Sequence, residues 1–412
     1  MFKIIALSLL GFGFLFNLFI SILSYKSRNN GIPDELSDVY DHDTYFKWKK
    51  YSAEVVILDM IKNIVSFVIS FTLIITNVYS LICGTLENPF VLAVIVLAVN
   101  IGISTIVDFI FSYIETMKIE EKYGFNKSTI KTLISDKIKG LILSSVLIIG
   151  LTCLFIVIHM NLGDYILLLF SGILFVGVIF IMFLYPLFSK FFNKFTPLPE
   201  GELRTKLMDM LTSHGYQVRD IKVMDASRRT TKSNAYFTGL GKSKTIVLYD
   251  NILKAMDDDE IVAVFAHEMG HGLHKDTLKS TIFSVFNIAL IVTLAWLLVK
   301  FPEIYGDFGF AGLNYGFAVI LLIECLMPVV SIILGLFSSI RSRKAEYLAD
   351  EQAVKEGYGE QLISGLKKIT RENFGNLNPD PLVVLLYYSH PTLLQRVRHI
   401  KEFEEKSLAN KN

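Results

Sequence analysis

Charge is scarce in this chain. Of its 412 residues only 19% are Asp, Glu, Lys or Arg, where a soluble globular protein carries about a quarter. Acidic and basic residues nearly cancel, leaving a net charge of +1. There is no basic excess of the kind that binds nucleic acid. Cysteine is scarcer still. Cys83, Cys153 and Cys325 are scattered, each inside an apolar run, so neither a disulfide framework nor a cysteine-ligated zinc is expected. The chain also lacks internal repeats and low-complexity linkers.

What it has in abundance is apolar residues, 52% of the total, with a mean hydropathy of +0.49. They are gathered into seven runs of about 20 residues, long enough to cross a bilayer as helices. The runs cover about 4–23, 55–83, 90–113, 141–160, 165–185, 281–299 and 317–340. The first is too long for a signal peptide, and no small-residue cleavage site follows it; it reads as a span.

Lysine and arginine then set the orientation. They crowd the loops after spans one (Lys26, Arg28, Lys47, Lys49, Lys50) and three (Lys118, Lys122, Lys127, Lys131, Lys137, Lys139) and follow span seven (Arg341, Arg343, Lys344). They are absent from the turns at 84–88 and 161–164. By the positive-inside rule the N-terminus lies outside and the C-terminus in the cytoplasm. On this topology the glycosylation-like string Asn126-Lys-Ser128 is a chance match.

One string carries chemistry: His267-Glu268-Met269-Gly270-His271, inside an apolar stretch without proline that reads as helix. Four residues make just over one turn, so the two histidines share a face. Two imidazoles so placed can reach one Zn²⁺ at roughly 2.0–2.1 Å each. Glu268 projects beside them, able to take a proton from the attacking water. A catalytic zinc needs three protein ligands and an open position. Glu346 and Asp350, again four apart on a helical stretch, offer the third ligand and an acceptor for a histidine's second ring N–H. On the topology above both halves of this site face the cytoplasm. A surface helix with paired histidines and a solvated helix with i,i+4 charges are the plain alternatives.

The organisation follows: spans one to five over 1–185, a cytoplasmic segment over 186–280, spans six and seven over 281–340, and a cytoplasmic tail over 341–412. In the long segment, 202–214 reads as a helix with Leu203, Leu207, Met210 and Leu211 on one face, and 221–224 as a short strand. Residues 234–239 and 244–249 read as two strands of a hairpin. Asp257-Asp-Asp-Glu260 reads as an acidic helix start.

Taken in order, several strings resemble the CAAX prenyl proteases of the first type, the sterile-24 or a-factor-converting kind. They are Glu120-Glu-Lys-Tyr-Gly-Phe-Asn-Lys127, Pro186-Leu-Phe188, Lys194-Phe-Thr-Pro-Leu-Pro-Glu-Gly-Glu-Leu203, Ser233-Asn-Ala235, the His267 motif, Glu346 to Asp350, and Ser389-His-Pro391 with Arg396. They cover nearly the whole chain. The resemblance implies an all-α polytopic membrane protein of about seven transmembrane helices around an intramembrane chamber, with a small cytoplasmic zincin-like subdomain that contains a β-hairpin. It implies a gluzincin endopeptidase holding one Zn²⁺ per chain through His267, His271 and Glu346. The implied substrate is a peptide or protein with a CAAX tail, cut to release the last three residues after a prenylated cysteine. By position in the motifs, Glu268 is the base, His390 steadies the developing oxyanion, and Arg396 orients the site or meets a substrate carboxylate. Asn234 and Ala235 would lie on an edge strand that pairs with extended substrate. Polar residues inside the spans (Asp59, Lys62, Asn63, Asn100, Asp108, His159, Asn287, Glu324) would either line the chamber or bond helix to helix. Two alternatives stay open: a quality-control zinc protease cutting non-prenylated membrane proteins, and a non-proteolytic zinc-containing receptor. The partners expected are a peptide or protein substrate and the lipid bilayer, with no nucleic acid.

Overall fold

The computed structural model describes residues 1–228, 235–238 and 243–409. Six apolar helical stretches have the length to cross a membrane: Phe2–Ser27, His42–Ile75, Pro89–Tyr123, Ile130–Ile181, Asp276–Lys300 and Tyr315–Lys355. The fourth runs for 52 residues and is really two helices hinged at a 3-10 turn, Gly163–Tyr165, where Gly163 has φ +54°. Seven crossings result. This is an integral, multi-pass helical membrane protein.

In chain order, α1 is Phe2–Ser27, α2 His42–Ile75, α3 Val78–Cys83 and α4 Pro89–Ile114. A π-turn, Glu115–Glu120, leads to α5, Glu121–Tyr123. Then come α6, Ile130–Leu162, and α7, Ile166–Phe192. Local signals start these helices. Asp41 accepts a bond from the Thr44 N–H, and Asn88 from Phe90 and Val91, with Pro89 in the first turn. Large apolar side chains such as Leu15, Val146, Leu168 and Ile282 stay exposed around the bundle, as lipid-facing residues must.

Several of the polar residues in the spans meet across helices. Lys62 and Lys137 both donate to Asp108, at 2.8 and 2.5 Å. Asn100 bonds Glu324 at 2.7 Å, and His159 meets the Tyr315 hydroxyl at 2.9 Å. Within the bilayer such groups need partners.

The loops sort into two ends. At one end the N-terminal amine meets Asp307 and Lys3 bonds Asn77, while Trp296 bonds Asp164. At the other end lie the lysine-rich loops, residues 195–274 and the chain that follows residue 340.

After α7 a four-stranded sheet forms in the order β1-β2-β4-β3. Its strands are β1, Phe195–Pro197; β2, Gln217–Met224; β3, Ala235–Thr238; and β4, Ser243–Tyr249. Strands β3 and β4 are antiparallel, with Ala235 opposite Leu248, as the two strand-like runs implied. The parallel pairing of β2 with β4 and the short β1 add to that hairpin. The strand read at 221–224 is the end of β2, whose polar start at Gln217 hid its full length, and β1 was hidden because it is three residues long and ends in proline. Helix α8, Glu202–Ser213, buries Leu207, Met210 and Leu211. A short α9, Ile252–Ala255, leads into α10, Asp258–Leu273.

Helix α10 is the centre of this half. Asp257 and Glu260 form a reciprocal capping box at its start, at 2.9 and 3.0 Å. Glu260 is buried and also accepts from Ser364 and Lys368. Burial raises its pKa, but these donors outweigh it and hold the carboxyl below the usual range. Beyond α10 come α11, Asp276–Lys300; α12, Tyr315–Ile320; a π-turn at Leu321–Leu326; α13, Met327–Lys355; α14, Gly359–Glu372; α15, Pro381–Tyr387; and α16, Leu393–Ala409. Span seven and the Glu346 stretch are thus one unbroken helix, because no proline or glycine interrupts 336–355.

The core around α10 takes in a segment that the sequence presents only as a basic loop. Leu36, Val39, Tyr40 and Trp48 are buried in it beside Leu362, Val397 and Ile400. Acidic residues of that segment pair with basic residues of the C-terminal helices: Asp38 with Lys367 at 2.8 Å and Asp41 with Arg371 at 3.3 Å. Asn126, only 7% exposed, is occupied with Glu121 and the Ser128 backbone, so it is a turn-former.

Helices α10 and α13 cross very closely. A Cβ on Gly270 would lie 2.8 Å from Ala349 Cα and 3.2 Å from its carbonyl oxygen. Backbone cannot yield there as a flexible side chain does. Gly270→Ala is therefore expected to push the helices apart at a cost of about 1–3 kcal/mol and to lower bound zinc. Unchanged melting temperature and zinc content in that variant would contradict the close crossing.

Candidate metal centre

His267 and His271 project from α10 toward Glu346 of α13. One metal-ligating atom from each of the three residues lies within 4.8 Å of those of the other two. His267 Nε2 is 3.4 Å from Glu346 Oε2, and His271 Nε2 is 3.3 Å from Oε1. The imidazoles stand nearly perpendicular, at 86°. Glu346 is 4% exposed, and its Oε2, although close to His267, makes no hydrogen bond.

The far side of each ring is tied to a carboxylate. His267 Nδ1 lies 2.9 Å from Asp350 Oδ1, and His271 Nδ1 3.0 Å from Asp276 Oδ2. In the neutral imidazole, the form that binds a metal, each Nδ1–H donates outward and leaves the Nε2 lone pair facing Glu346. Arg396 also stands 3.2 Å from His267 Nδ1. Two N–H donors cannot share that nitrogen, so Arg396 is bonded to Asp350 instead, at 2.9 and 2.5 Å.

Burial and Arg396 pull the His267 pKa down, but Asp350 and Glu346 outweigh them and raise it to about 9. Burial likewise opposes a rise at His271, which Glu346 and Asp276 bring about. The neighbouring carboxylates thus favour positive charge at both imidazoles, the charge that a bound cation would supply.

The donor set fits zinc. Tetrahedral coordination at 2.0–2.1 Å separates neighbouring ligand atoms by about 3.3–3.4 Å, the spacing found between each Nε2 and the carboxylate. Two nitrogens and one carboxylate, whose Oε2 accepts no hydrogen bond, match a catalytic site of three protein ligands.

The other residues anticipated around it fall as follows. Glu268 is half-buried on α10. His390, on the stretch between α15 and α16, places Nδ1 2.9 Å from Glu346 Oε1 with its side chain 65% exposed. Arg396 sits on α16, buried, with one guanidinium nitrogen 3.6 Å from Glu346 Oε2. Ala235 lies on β3, an outer strand of the sheet, and β3 runs close to α10. Asn234 lies outside the described residues. Asp276 escaped the sequence reading. It opens α11 just after Lys275, whose left-handed φ of +57° ends the preceding helical run. A helix break at a lysine, without glycine or proline, leaves no signal in the sequence.

Known proteins resemble this chain from end to end. Residues 21–194 match a family described as CAAX prenyl protease N-terminal, five membrane helices, and residues 197–404 match peptidase family M48. A CAAX prenyl protease 1 homolog of Oryza sativa is 36% identical over 74% of this chain and 72% of its own length. CAAX prenyl protease 1 of Saccharomyces cerevisiae is 32% identical over 95% of this chain and 94% of its own. The crystal structure of S. mikatae Ste24p superposes with a TM-score of 0.89 at 30% identity, covering 97% of this chain and 99% of that one.

Proposed function

This chain belongs to peptidase family M48, among the CAAX prenyl proteases of the first type, and from that membership we propose that it cuts prenylated CAAX tails at the His267–His271–Glu346 centre. It is a zinc metallopeptidase of the membrane. The role of each residue rests above all on one observation: two imidazole Nε2 atoms and a buried carboxylate converge, with Glu268 next to His267 on the same helix.

His267, His271 and Glu346 hold the metal, and Asp350 and Asp276 fix the two imidazoles in the tautomer that presents Nε2. Zinc, when bound, lowers the pKa of a water toward about 7 and polarises a carbonyl. Glu268 takes the proton from the attacking water and delivers it to the leaving amine nitrogen. His390, 65% exposed and beside Glu346, donates to the oxygen that becomes negative at the scissile carbon. Arg396 keeps Asp350 charged and in place.

The outer edge of β3 offers backbone groups to an extended substrate, so the peptide adds as a strand around Asn234 and Ala235. The helices enclose a chamber that receives the rest of the substrate, and the metal centre opens to the cytoplasm, in keeping with the lysine-rich loops at its end of the bundle.

A direct test is to purify the full chain in detergent and compare a farnesylated CAAX peptide with its unprenylated twin. Release of the last three residues from the farnesylated peptide, with about one zinc per chain, is the expected result. Equal cleavage of the two, or cleavage only of unfolded membrane polypeptides, would replace this substrate by that of a quality-control protease.

A further inference from the structure

Arg343 lies on α13, three residues before Glu346, and among the described residues its hydrogen bonds go to backbone carbonyls and not to the proposed metal ligands. Its guanidinium is engaged by three backbone oxygens of another element. Nη1 donates to the carbonyls of Val384 at 2.8 Å and Tyr388 at 2.7 Å, and both terminal nitrogens reach that of Leu385 at 3.2 Å. These are carbonyls of the last turn of α15 and its C-cap, where a helix leaves most oxygens without intrahelical partners, although that of Val384 also accepts the Tyr388 N–H. A planar cation with several donors fits several such oxygens at once.

The arrangement repeats along α13. Ser339, Arg343, Glu346 and Asp350 are spaced by four, three and four residues, which places them in one stripe on a helix. Ser339 Oγ bonds the Leu386 carbonyl at 3.3 Å. Glu346 meets His390 at 2.9 Å. Asp350 holds Arg396 at 2.9 Å. The stripe thus grips the chain from 384 to 396 at successive points. Between the grips lies His390, two residues past the Tyr388 carbonyl. Leu382, Leu385 and Tyr387 are exposed, whereas Val383 and Val384 face inward and are buried. Apolar packing thus seats the start of α15, and the polar anchors fix its end.

From this geometry we infer that Arg343 is a positioning residue for His390, clamping the end of α15 so that the imidazole stands beside the metal centre. The inference rests on the reading of His390 as an oxyanion donor. Arg343 acts on turnover and leaves metal binding alone.

The test is a double-mutant cycle on the full chain in detergent, with kcat and KM for the farnesylated peptide and zinc content as readouts. Arg343→Ala is expected to retain about one zinc and near-normal KM while kcat falls roughly 10- to 100-fold, the scale of a misplacement near 1 Å. Arg343→Lys, able to bond some but not all of the carbonyls, should recover part of the rate. In a His390→Ala background, Arg343→Ala should cost nothing more, because a residue acting through another has no effect once that other is gone. A full additional loss in that background, or a normal kcat in Arg343→Ala, would overturn the proposal. Should Arg343→Ala fail to fold, Arg343→Lys carries the same cycle: its kcat deficit must vanish beside His390→Ala. A normal kcat in His390→Ala alone would instead refute the oxyanion reading on which the inference stands.

Discussion

Glu268→Gln is expected to keep about one zinc per chain and to bind peptide, while turnover falls by about 10²–10⁴, the usual contribution of a general base. Gln has the size and polarity of Glu but cannot accept the proton of the attacking water. The structure makes this substitution clean. Glu268 is half-buried on α10 and stands apart from the carboxylates that meet the imidazoles, which are Glu346, Asp350 and Asp276. Zinc content by atomic absorption and single-turnover cleavage of the farnesylated peptide separate the two functions. Near-normal turnover would show that another group takes the proton. Loss of zinc would show that Glu268 supports the metal instead.

The parts of this architecture that follow from neighbouring residues were legible in the sequence. The seven apolar runs announce themselves by length, and the lysine-rich loops by composition. His267 and His271 share a helical face because they are four apart, and the same holds for Glu346 and Asp350. What joins the two pairs is tertiary and left no comparable mark. Gly270 reads as one more residue of a helix, yet its missing Cβ is what lets α10 and α13 approach. Asp276 reaches His271 across the break in the helix at Lys275. The segment holding Leu36 and Tyr40 reads as a basic loop, although it fills the core beneath the C-terminal helices, where the Tyr40 hydroxyl bonds the carbonyls of Thr370 and Gly375. Arg343 counts toward membrane orientation in the sequence, while in the structure it caps α15. In each case the partner lies far along the chain, beyond the reach of periodicity.

The largest expected effect belongs to Glu346. Its carboxylate lies at the meeting point of four cationic or potentially cationic groups: His267 at 3.4 Å, His271 at 3.3 Å, His390 at 2.9 Å and Arg396 at 3.6 Å. It is itself buried. Glu346→Ala removes a proposed metal ligand and at the same time leaves Arg396 and His267, both buried, with Asp350 as their remaining carboxylate. Truncating one member of a buried charged pair typically costs about 3–5 kcal/mol, so a clear drop in melting temperature should accompany the loss of metal. Bound zinc should fall well below one per chain, and cleavage should vanish even with excess zinc. Glu346→Gln separates the two contributions. It keeps the volume and one acceptor oxygen, so it should restore much of the thermal stability, but it carries no charge to hold the metal and should stay inactive. Full zinc occupancy in Glu346→Ala would remove Glu346 from the ligand set. Its position against His390 would then define its role: a carboxylate that orients the imidazole, as Asp350 orients that of His267.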